Sequence, residues 1–356
     1  MNAKTDDMLR QSCYTLGLSI LFACSSSPNQ STLGEVEETA PAYPTVGTID
    51  RVDDALNQVV SADAQLELLA EGFDWSEGPV WVPRDGGYLL FSDIPPNRVY
   101  KWQEGDSISL YLEPAGFSGA EFTGKEPGSN GLLLDDNGNL VLCQHGNRQV
   151  ARMNAPLDNP QSDFVAIVGE YEGKRLNSPN DAVFHSNGDI YFTDPPYGLP
   201  GGADSEEKEL DFQGVYRFSV ADSSLTLLTD EMSHPNGIAF SPDEKTLYVA
   251  NSDPERAIWM AYDVLDDGTI DNGRVFYDAT DQVGEEKGLP DGMAVHSSGH
   301  VFATGPGGVW IFNAEGTHLG TLKTGQATAN CAFNYDESAL YITADMYLMR
   351  LPLFDD

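Results

Sequence analysis

The chain has 356 residues, 40% of them hydrophobic, which is long enough for one large domain or two. Its 56 acidic residues outnumber 19 basic ones, and the formal net charge is −37. A surface of that sign excludes nucleic acid as a partner, because phosphate binding needs clustered lysine and arginine. Short runs of aromatic and β-branched residues, without a long helical period, predict an all-β protein.

The N-terminus has the pattern of an export signal. Residues 14–23 (YTLGLSILFA) are apolar but too few to span a bilayer, which is typical of the central region of a signal peptide. The run ends at Ala23-Cys24 and is followed by serines, as in a bacterial lipobox, so we expect a signal peptide at 1–23 and lipid on Cys24. Residues 24–50 predict a flexible tether. A plain signal peptide or a disordered tail is the alternative.

These features predict an exported lipoprotein of a bacterial outer membrane, facing the periplasm or the exterior. The membrane contact would be the lipid on Cys24 alone. Residues 51–356 are expected to form the single folded domain, as a monomer or weak oligomer. Cys143 and Cys331 lie in apolar strand contexts far apart in the sequence, which favours two buried free thiols.

Six segments of the domain share one pattern: a polar residue, an apolar strand, a turn and a second strand. The polar positions are Glu77, Asn130, Asn180, Asn236, Asp291 and Asn330, with spacings of 53, 50, 56, 55 and 39 residues. Units of about 40–55 residues that hold four strands are typical of propeller blades. The sequence therefore predicts a six-bladed β-propeller. A large β-sandwich is the competing fold, but the regular repetition argues against it.

The polar residue of each repeat is expected at one mouth of a central channel. The innermost strand of every blade lines that channel, so the six polar residues would form one ring of hard oxygen donors. Such a ring predicts a metal-containing channel with calcium, whereas zinc, manganese and magnesium are alternatives and oxygen-only ligands disfavour zinc. Each polar residue could instead cap a turn. Every repeat, however, has a separate turn after its first strand, as Pro242-Asp243-Glu244 follows Asn236-Gly237.

Three further residues are candidates for the chemistry. His145, in CQHGNR, follows the second strand of its repeat, and an imidazole that titrates near neutral pH is a candidate general base. Asp194 and Tyr197, in FTDPPYG, are expected beside the channel mouth. There the carboxylate would accept substrate hydroxyls and the ring would stack on the substrate. Alternatively, DPPYG is a rigid loop that only shapes the pocket.

Several segments resemble the family of gluconolactonase, senescence marker protein and luciferin-regenerating enzyme. They are WSEGPVW, GKRLNSPNDAVF, IYFTDPPYGL, HPNGIAFSPDEKTLYVAN and GLPDGMAV, within a resemblance that spans roughly residues 65–350. The resemblance implies one catalytic divalent cation, usually calcium, at the positions of Glu77, Asn180, Asn236 and Asp291. It leaves Asn130 and Asn330 as substrate-binding groups or as supports of the metal ligands.

The reaction that the resemblance implies is hydrolysis of a lactone, most closely a sugar lactone such as gluconolactone. The metal would polarise the carbonyl, and Asp291 would be the general base for the attacking water. Two alternatives stay open. One is an aryl-ester or organophosphate hydrolase that uses the same ligands. The other is a non-catalytic, lipid-anchored propeller that binds a carbohydrate or a partner.

Overall fold

Residues 43–353 are described by a computed structural model, and their regular structure is almost entirely β-strand. Three short 3₁₀ helices complete it, at Asp54–Gln58, Gly202–Asp204 and Thr280–Gln282. No helix of residues 43–353 has the length and apolar character to span a membrane. The predicted signal peptide, the lipidated Cys24 and most of the predicted tether lie outside the described residues.

The strands form six antiparallel blades, which confirms the six-bladed β-propeller. Two strands precede the first blade: β1 (Thr48–Arg51) and β2 (Glu67–Glu71). The first blade is β3 (Ser76–Val82), β4 (Tyr88–Asp93), β5 (Arg98–Trp102) and β6 (Ser109–Leu112). The second is β7 (Ser129–Leu134), β8 (Leu140–Gln144), β9 (Gln149–Met153) and β10 (Phe164–Val168), and a small hairpin follows it, β11 (Glu170–Tyr171) and β12 (Lys174–Arg175).

The other four blades follow the same order from the inner to the outer strand. The third is β13 (Ala182–Phe184), β14 (Ile190–Asp194), β15 (Gly214–Ser219) and β16 (Ser224–Thr229). The fourth is β17 (Pro235–Phe240), β18 (Thr246–Asp253), β19 (Arg256–Val264) and β20 (Ile270–Asp278). The fifth is β21 (Met293–Val295), β22 (Val301–Gly305), β23 (Gly308–Phe312) and β24 (His318–Lys323), and the sixth is β25 (Asn330–Phe333), β26 (Ala339–Ala344) and β27 (Tyr347–Pro352).

The ring is closed by the two N-terminal strands. β2 pairs with β27 as the outer strand of the sixth blade, and β1 pairs with β24 as a fifth strand of the fifth blade. An ion pair of 2.6 Å between Arg350 Nε and Glu67 Oε2 crosses the β2–β27 seam. Pairing the last blade with the start of the chain covers a strand edge that would otherwise be open to other chains.

The hydrophobic core is divided among the six interfaces between neighbouring blades. Each interface has its own cluster of buried side chains from the facing sheets. Representative pairs, taken in order around the ring from the first interface, are Leu90–Leu142, Val150–Phe192, Tyr191–Val249, Trp259–Phe312, Ile311–Ile342 and Phe91–Tyr341. Cys143 and Cys331 are both buried and unpaired, as predicted. Because every blade is packed on both faces, the inner strands are held in fixed positions around the channel.

Candidate active site

Five of the six polar residues of the repeat line one cavity of about 420 Å³. They are Glu77, Asn130, Asn180, Asn236 and Asp291. The rest of the wall is formed by Trp75, Ile94, Glu126, Tyr197, Ser252, Pro254, Val283, Gly288, Leu289, Ala327 and Thr328. The predicted gathering of donors therefore occurs for the four residues proposed as metal ligands and for Asn130.

A glycine after the polar residue lets neighbouring inner strands approach closely. A Cβ on Gly78 would lie 2.0 Å from the carbonyl oxygen of Asn130, and a Cβ on Gly237 would lie 2.2 Å from that of Asp291. Each contact joins one blade to the next around the channel. The Asn236-Gly237 pair therefore makes no hairpin turn: the asparagine faces the cavity and the glycine makes room for the next blade.

The Asp194 carboxylate holds the loop that carries Asn180. The Asp194 carboxylate accepts hydrogen bonds from the backbone N–H groups of Asn177, at 2.7 Å, and Ser178, at 2.8 Å. It is fully buried and does not line the cavity. Burial raises the pKa of Asp194 to about 7, against the lowering effect of the two backbone donors. Its predicted contact with substrate hydroxyls stays a prediction, and its observed contacts support the Asn180 loop.

Two other blades hold their loops in the same way. At the end of β4, Asp93 accepts a hydrogen bond of 2.9 Å from the backbone N–H of Trp75, just ahead of Glu77. In β18, the Asn251 side-chain oxygen accepts one of 2.9 Å from the backbone N–H of His234, just ahead of Asn236. These acceptors fix where each inner strand begins and hence where its polar side chain enters the cavity.

Two of the three carboxylates that line the cavity, those of Glu77 and Asp291, are buried without a cationic neighbour. Burial raises the pKa of Glu77 to about 8, and the charges of Asp181 and Glu126 add to the effect. Burial also raises the pKa of Asp291, with the charge of Glu77 as the next cause. Among the described residues that line the cavity, none is lysine or arginine. Two buried like charges in one site are unfavourable unless a cation or protons balance them.

The amides of Asn180 and Asn236 each direct the NH₂ group at a neighbouring side chain. Asn180 Nδ2 lies 3.4 Å from His145 Nε2. Asn236 Nδ2 donates a hydrogen bond of 2.9 Å to Ser252 Oγ, whose own hydroxyl donates to the carbonyl of Pro290. Each amide NH₂ group is thereby tied to a neighbour, and each Oδ1 is left available to a ligand.

The cavity fits a divalent cation. Asn130 Oδ1 and Asp291 Oδ1 are buried oxygens without a hydrogen-bond partner, a state that costs free energy unless a ligand supplies one. Two carboxylates and several amide oxygens form a hard-oxygen donor set that suits calcium. Within residues 43–353, no three His, Cys, Asp or Glu side chains are grouped as a metal site, so the amide oxygens are needed for this one.

His145 lies behind the cavity wall, fully buried. Its Nδ1 is 3.0 Å from Glu126 Oε2, and its Nε2 faces the amide of Asn180. The Glu126 oxygen stands off the axis of a ring N–H bond, so the contact is close but not a straight hydrogen bond. The role of His145 as a general base stays a prediction.

Tyr197 does line the cavity, and its ring stacks on His234 with centroids 5.8 Å apart. Its hydroxyl faces the side chains of Ser252 and Asn236, and burial raises the pKa of the phenol. The phenol is therefore a neutral group that can donate a hydrogen bond. Stacking of Tyr197 on a substrate ring stays a prediction, since one of its faces is covered by His234.

Asn330 lies away from the cavity. It lines a second cavity of about 380 Å³, between the inner strands further along their length. Its Nδ2 is 3.4 Å from Asp181 Oδ2, and its Oδ1 accepts a hydrogen bond of 2.8 Å from the backbone N–H of Cys331. The Asn330 amide also lowers the pKa of the Glu77 carboxyl. These contacts agree with support of a ligand, and a contact with substrate stays a prediction.

Sequence reasoning missed Glu126 and Ser252. Glu126 lies in the loop between β6 and β7, outside the repeated pattern, although only four residues before Asn130. Ser252 is near the end of β18, directly after the residue that holds the His234 loop. The sequence offers one weak signal for each: Glu126 is a polar residue just before a repeat, and Ser252 is a polar residue at the end of one.

Known proteins match this chain over most of its length. Residues 75–345 match the family model for the SMP-30/Gluconolactonase/LRE-like region. The chain is 36% identical over 313 residues to a gluconolactonase of Zymomonas mobilis, with 86% of each chain covered. It is 26% identical over 275 residues to a pentonolactonase of Haloferax volcanii, covering 75% of this chain and 80% of that protein.

Among solved structures, the gluconolactonase of Xanthomonas campestris is similar in fold and sequence. The two structures align with a TM-score of 0.75 at 34% identity, covering 89% of this chain and 99% of that one. The family match runs from the start of β3 to the end of β26. It therefore includes all the loops that line the cavity.

Proposed function

The chain belongs to the SMP-30/gluconolactonase/LRE-like family, and we propose that it hydrolyses lactones with one divalent cation, calcium, as its cofactor. The proposed substrate is a neutral sugar lactone such as gluconolactone. One observation carries the proposal: Glu77, Asn180, Asn236 and Asp291 meet in a single cavity, with Asp291 Oδ1 buried and without a partner.

The proposed metal ligands are those four side chains, with coordination positions left for water and substrate. When bound, the cation would polarise the lactone carbonyl and stabilise the negative charge that develops on it. Asp291 would accept the proton of the attacking water at Oδ1, and His145 is the second candidate for that role. Asn130 and Tyr197 would orient the substrate through hydrogen bonds from the cavity wall.

The charge of the wall supports a neutral substrate. The carboxylates of Glu77, Glu126 and Asp291 face the cavity, and no described residue of the wall is lysine or arginine. A phosphorylated or carboxylated lactone would find no cationic partner except the metal, and would be repelled by Glu126. A neutral lactone can enter, and its acidic product would be repelled towards solvent.

The test follows acid release from glucono-δ-lactone in a pH-stat with the purified full chain. The proposal expects hydrolysis above the uncatalysed rate, its loss with a chelator and its return with calcium. Phosphorylated gluconolactone, at the same concentration, should be turned over at least tenfold more slowly. No hydrolysis of any lactone by folded, calcium-loaded protein would refute the proposed activity.

A second substrate class is favoured by the apolar part of the wall. Trp75, Ile94, Val283 and Leu289 all line the cavity and would accept an aromatic or alkyl group. Aryl esters and organophosphates are therefore the next substrates to assay, with the same chelation control. Faster turnover of phenyl acetate than of gluconolactone would assign the site to aryl esters.

We also propose that the protein is exported and anchored through lipid on Cys24, at an outer membrane facing the periplasm or exterior. The support is the sequence of residues 14–27 alone. Cell fractionation with labelled fatty acid tests the anchor: the label should follow the wild-type protein to the membrane and be absent from Cys24→Ala. Light scattering of the detergent-solubilised protein would test the proposed monomer or weak oligomer.

A further inference from the structure

Three side chains in contact connect the loop before β7, where Glu126 is part of the cavity wall, to Asn180. Glu126, about one third exposed, places Oε2 3.0 Å from His145 Nδ1. His145 is fully buried, and its Nε2 is 3.4 Å from Nδ2 of Asn180. Asn180 is one of the four proposed metal ligands. In the proposed function Glu126 acts only by repelling anionic substrates.

The position of Glu126 fixes which ring nitrogen of His145 carries the proton. A carboxylate oxygen at 3.0 Å would repel the lone pair of an unprotonated Nδ1, so the proton is expected on Nδ1. In the neutral ring Nε2 then has the lone pair and can only accept. Without Glu126, either tautomer of a buried imidazole is available, and the direction in which Nε2 acts is no longer set.

The tautomer of His145 in turn decides the orientation of the Asn180 amide. An accepting Nε2 attracts the NH₂ group and repels Oδ1, so Asn180 turns its Oδ1 towards the cavity. A cation needs that oxygen, because an amide NH₂ group cannot bind a metal. The same result is reached at Asn236, where the hydroxyl of Ser252 accepts from Nδ2 at 2.9 Å.

We infer that Glu126 and His145 are positioning residues that hold Asn180 with its amide oxygen directed at the cation. The inference rests on the proposed metal site, which it extends to a loop outside the propeller repeat. Groups behind the ligands of a metal commonly contribute about 10- to 100-fold to its affinity. Loss of the Glu126 oxygen should therefore weaken calcium binding even though Glu126 is not among the proposed ligands.

The test measures the calcium dissociation constant of the metal-free full chain by isothermal titration calorimetry. Glu126→Ala should weaken binding about tenfold or more, whereas Glu126→Gln should retain most of the affinity, because its amide oxygen can still lie against Nδ1–H. Both variants lose the negative charge, but only Glu126→Ala also loses the side-chain oxygen. A difference in affinity between them therefore measures positioning and not charge. The matched control is Glu121→Ala, an exposed acidic residue of the same loop that does not line the cavity, and it should bind as the wild type does.

His145 variants give an independent measurement. His145→Gln can place a side-chain oxygen near the position of Nε2 and should keep calcium affinity within about threefold of the wild type, whereas His145→Leu should lose tenfold or more. Unfolding midpoints in chelator identify any variant that is merely unfolded.

Three results would overturn the inference. Equal calcium affinity in wild type and Glu126→Ala would show that the glutamate has no effect on the site. An equal loss in Glu126→Gln and Glu126→Ala would assign the effect to charge rather than to positioning. Absence of any cation binding by the wild type would reject the proposed metal site together with the inference.

Discussion

The side-chain amide of Asn236 donates a hydrogen bond of 2.9 Å to the hydroxyl of Ser252 on the adjoining strand. The Ser252 hydroxyl donates its own hydrogen to the carbonyl oxygen of Pro290, so the hydroxyl oxygen can accept a hydrogen bond from Asn236. The bond holds the amide with Oδ1 available, as a metal ligand must be. We therefore expect Ser252→Ala to weaken calcium binding by about tenfold, with the free energy of unfolding in chelator lowered by about 1 kcal/mol or less.

Calcium titration of Ser252→Ala checks this expectation. Ser233→Ala is the matched control, because the Ser233 hydroxyl also hydrogen-bonds a side chain, that of Asp253, but Ser233 is exposed and lies outside the cavity wall. The control should bind calcium as the wild type does. Unchanged affinity in Ser252→Ala would mean that the amide of Asn236 needs no such support.

Glu77→Gln should separate function from stability. The amide removes one of two buried carboxylates whose pKa values are raised by burial, so it relieves a desolvation cost in the metal-free protein. We expect the metal-free variant to be more stable than the wild type at pH 7, by about 1–3 kcal/mol. We also expect loss of the calcium-induced rise in melting temperature and a fall in lactonase activity of at least about 100-fold.

Denaturant unfolding with and without calcium, beside the pH-stat assay, measures all three effects. Asp291→Asn should behave in the same way, since its carboxyl is buried in the same cavity. A Glu77→Gln protein that keeps the calcium-induced shift would remove Glu77 from the proposed ligands. One that is less stable in chelator would show that the carboxylate is balanced by some other group.

The fold was predictable from the sequence because each blade repeats the same order of polar residue, strand, turn and strand. Closure of the ring was not, since β1 and β2 are short strands that carry neither the polar residue nor the turn of the repeat. Their partners β24 and β27 lie at the other end of the chain. Strands so far apart in the sequence pair only once the ring has formed. No local sequence pattern therefore predicts their pairing.

The ring of donors was predictable for five positions, and the sixth shows what pattern alone lacks. Asn330 occupies the same place in its repeat as Asn236, but its side chain packs against Gly292 and turns to Asp181. A Cβ on Gly292 would lie 2.0 Å from Asn330 Cγ. The direction of the amide is thus set by the neighbouring blade. Glu126 escaped prediction for a related reason, since its relation to His145 exists only in three dimensions.

Asp194 should make stability depend on pH. Burial raises its pKa from the usual 3.8 to about 7 in the folded protein, so between those values the unfolded chain has released a proton that the folded chain retains. Stability from this group is present in full below about pH 4 and is lost as the pH rises towards 7. The free energy of unfolding should fall over this range by up to about 4 kcal/mol on account of Asp194 alone.

The comparison is between the wild type and Asp194→Asn, by denaturant unfolding in chelator from pH 4.5 to 7.5. Other buried carboxyls titrate in both proteins, so the difference between the two slopes isolates Asp194. The variant is expected to be less stable at the acid end, where it lacks a second acceptor oxygen for Asn177 and Ser178, and to lose less with rising pH. Parallel slopes would place the pKa of Asp194 near its ordinary value.

Gly237→Ala tests the close approach of neighbouring inner strands. The new Cβ would lie 2.2 Å from the carbonyl oxygen of Asp291 and 2.7 Å from Gly292 Cα, both backbone atoms that cannot turn away. Strands of two blades must then separate at the cavity, so we expect a loss of about 2–4 kcal/mol in the free energy of unfolding. Because Asp291 is displaced with its backbone, calcium affinity should fall as well.

Gly169→Ala is the control, since its Cβ would meet nothing closer than 3.5 Å, and it should change stability by less than about 0.5 kcal/mol. If Gly237→Ala were as stable as Gly169→Ala, close contact between the two blades would not require a glycine at position 237.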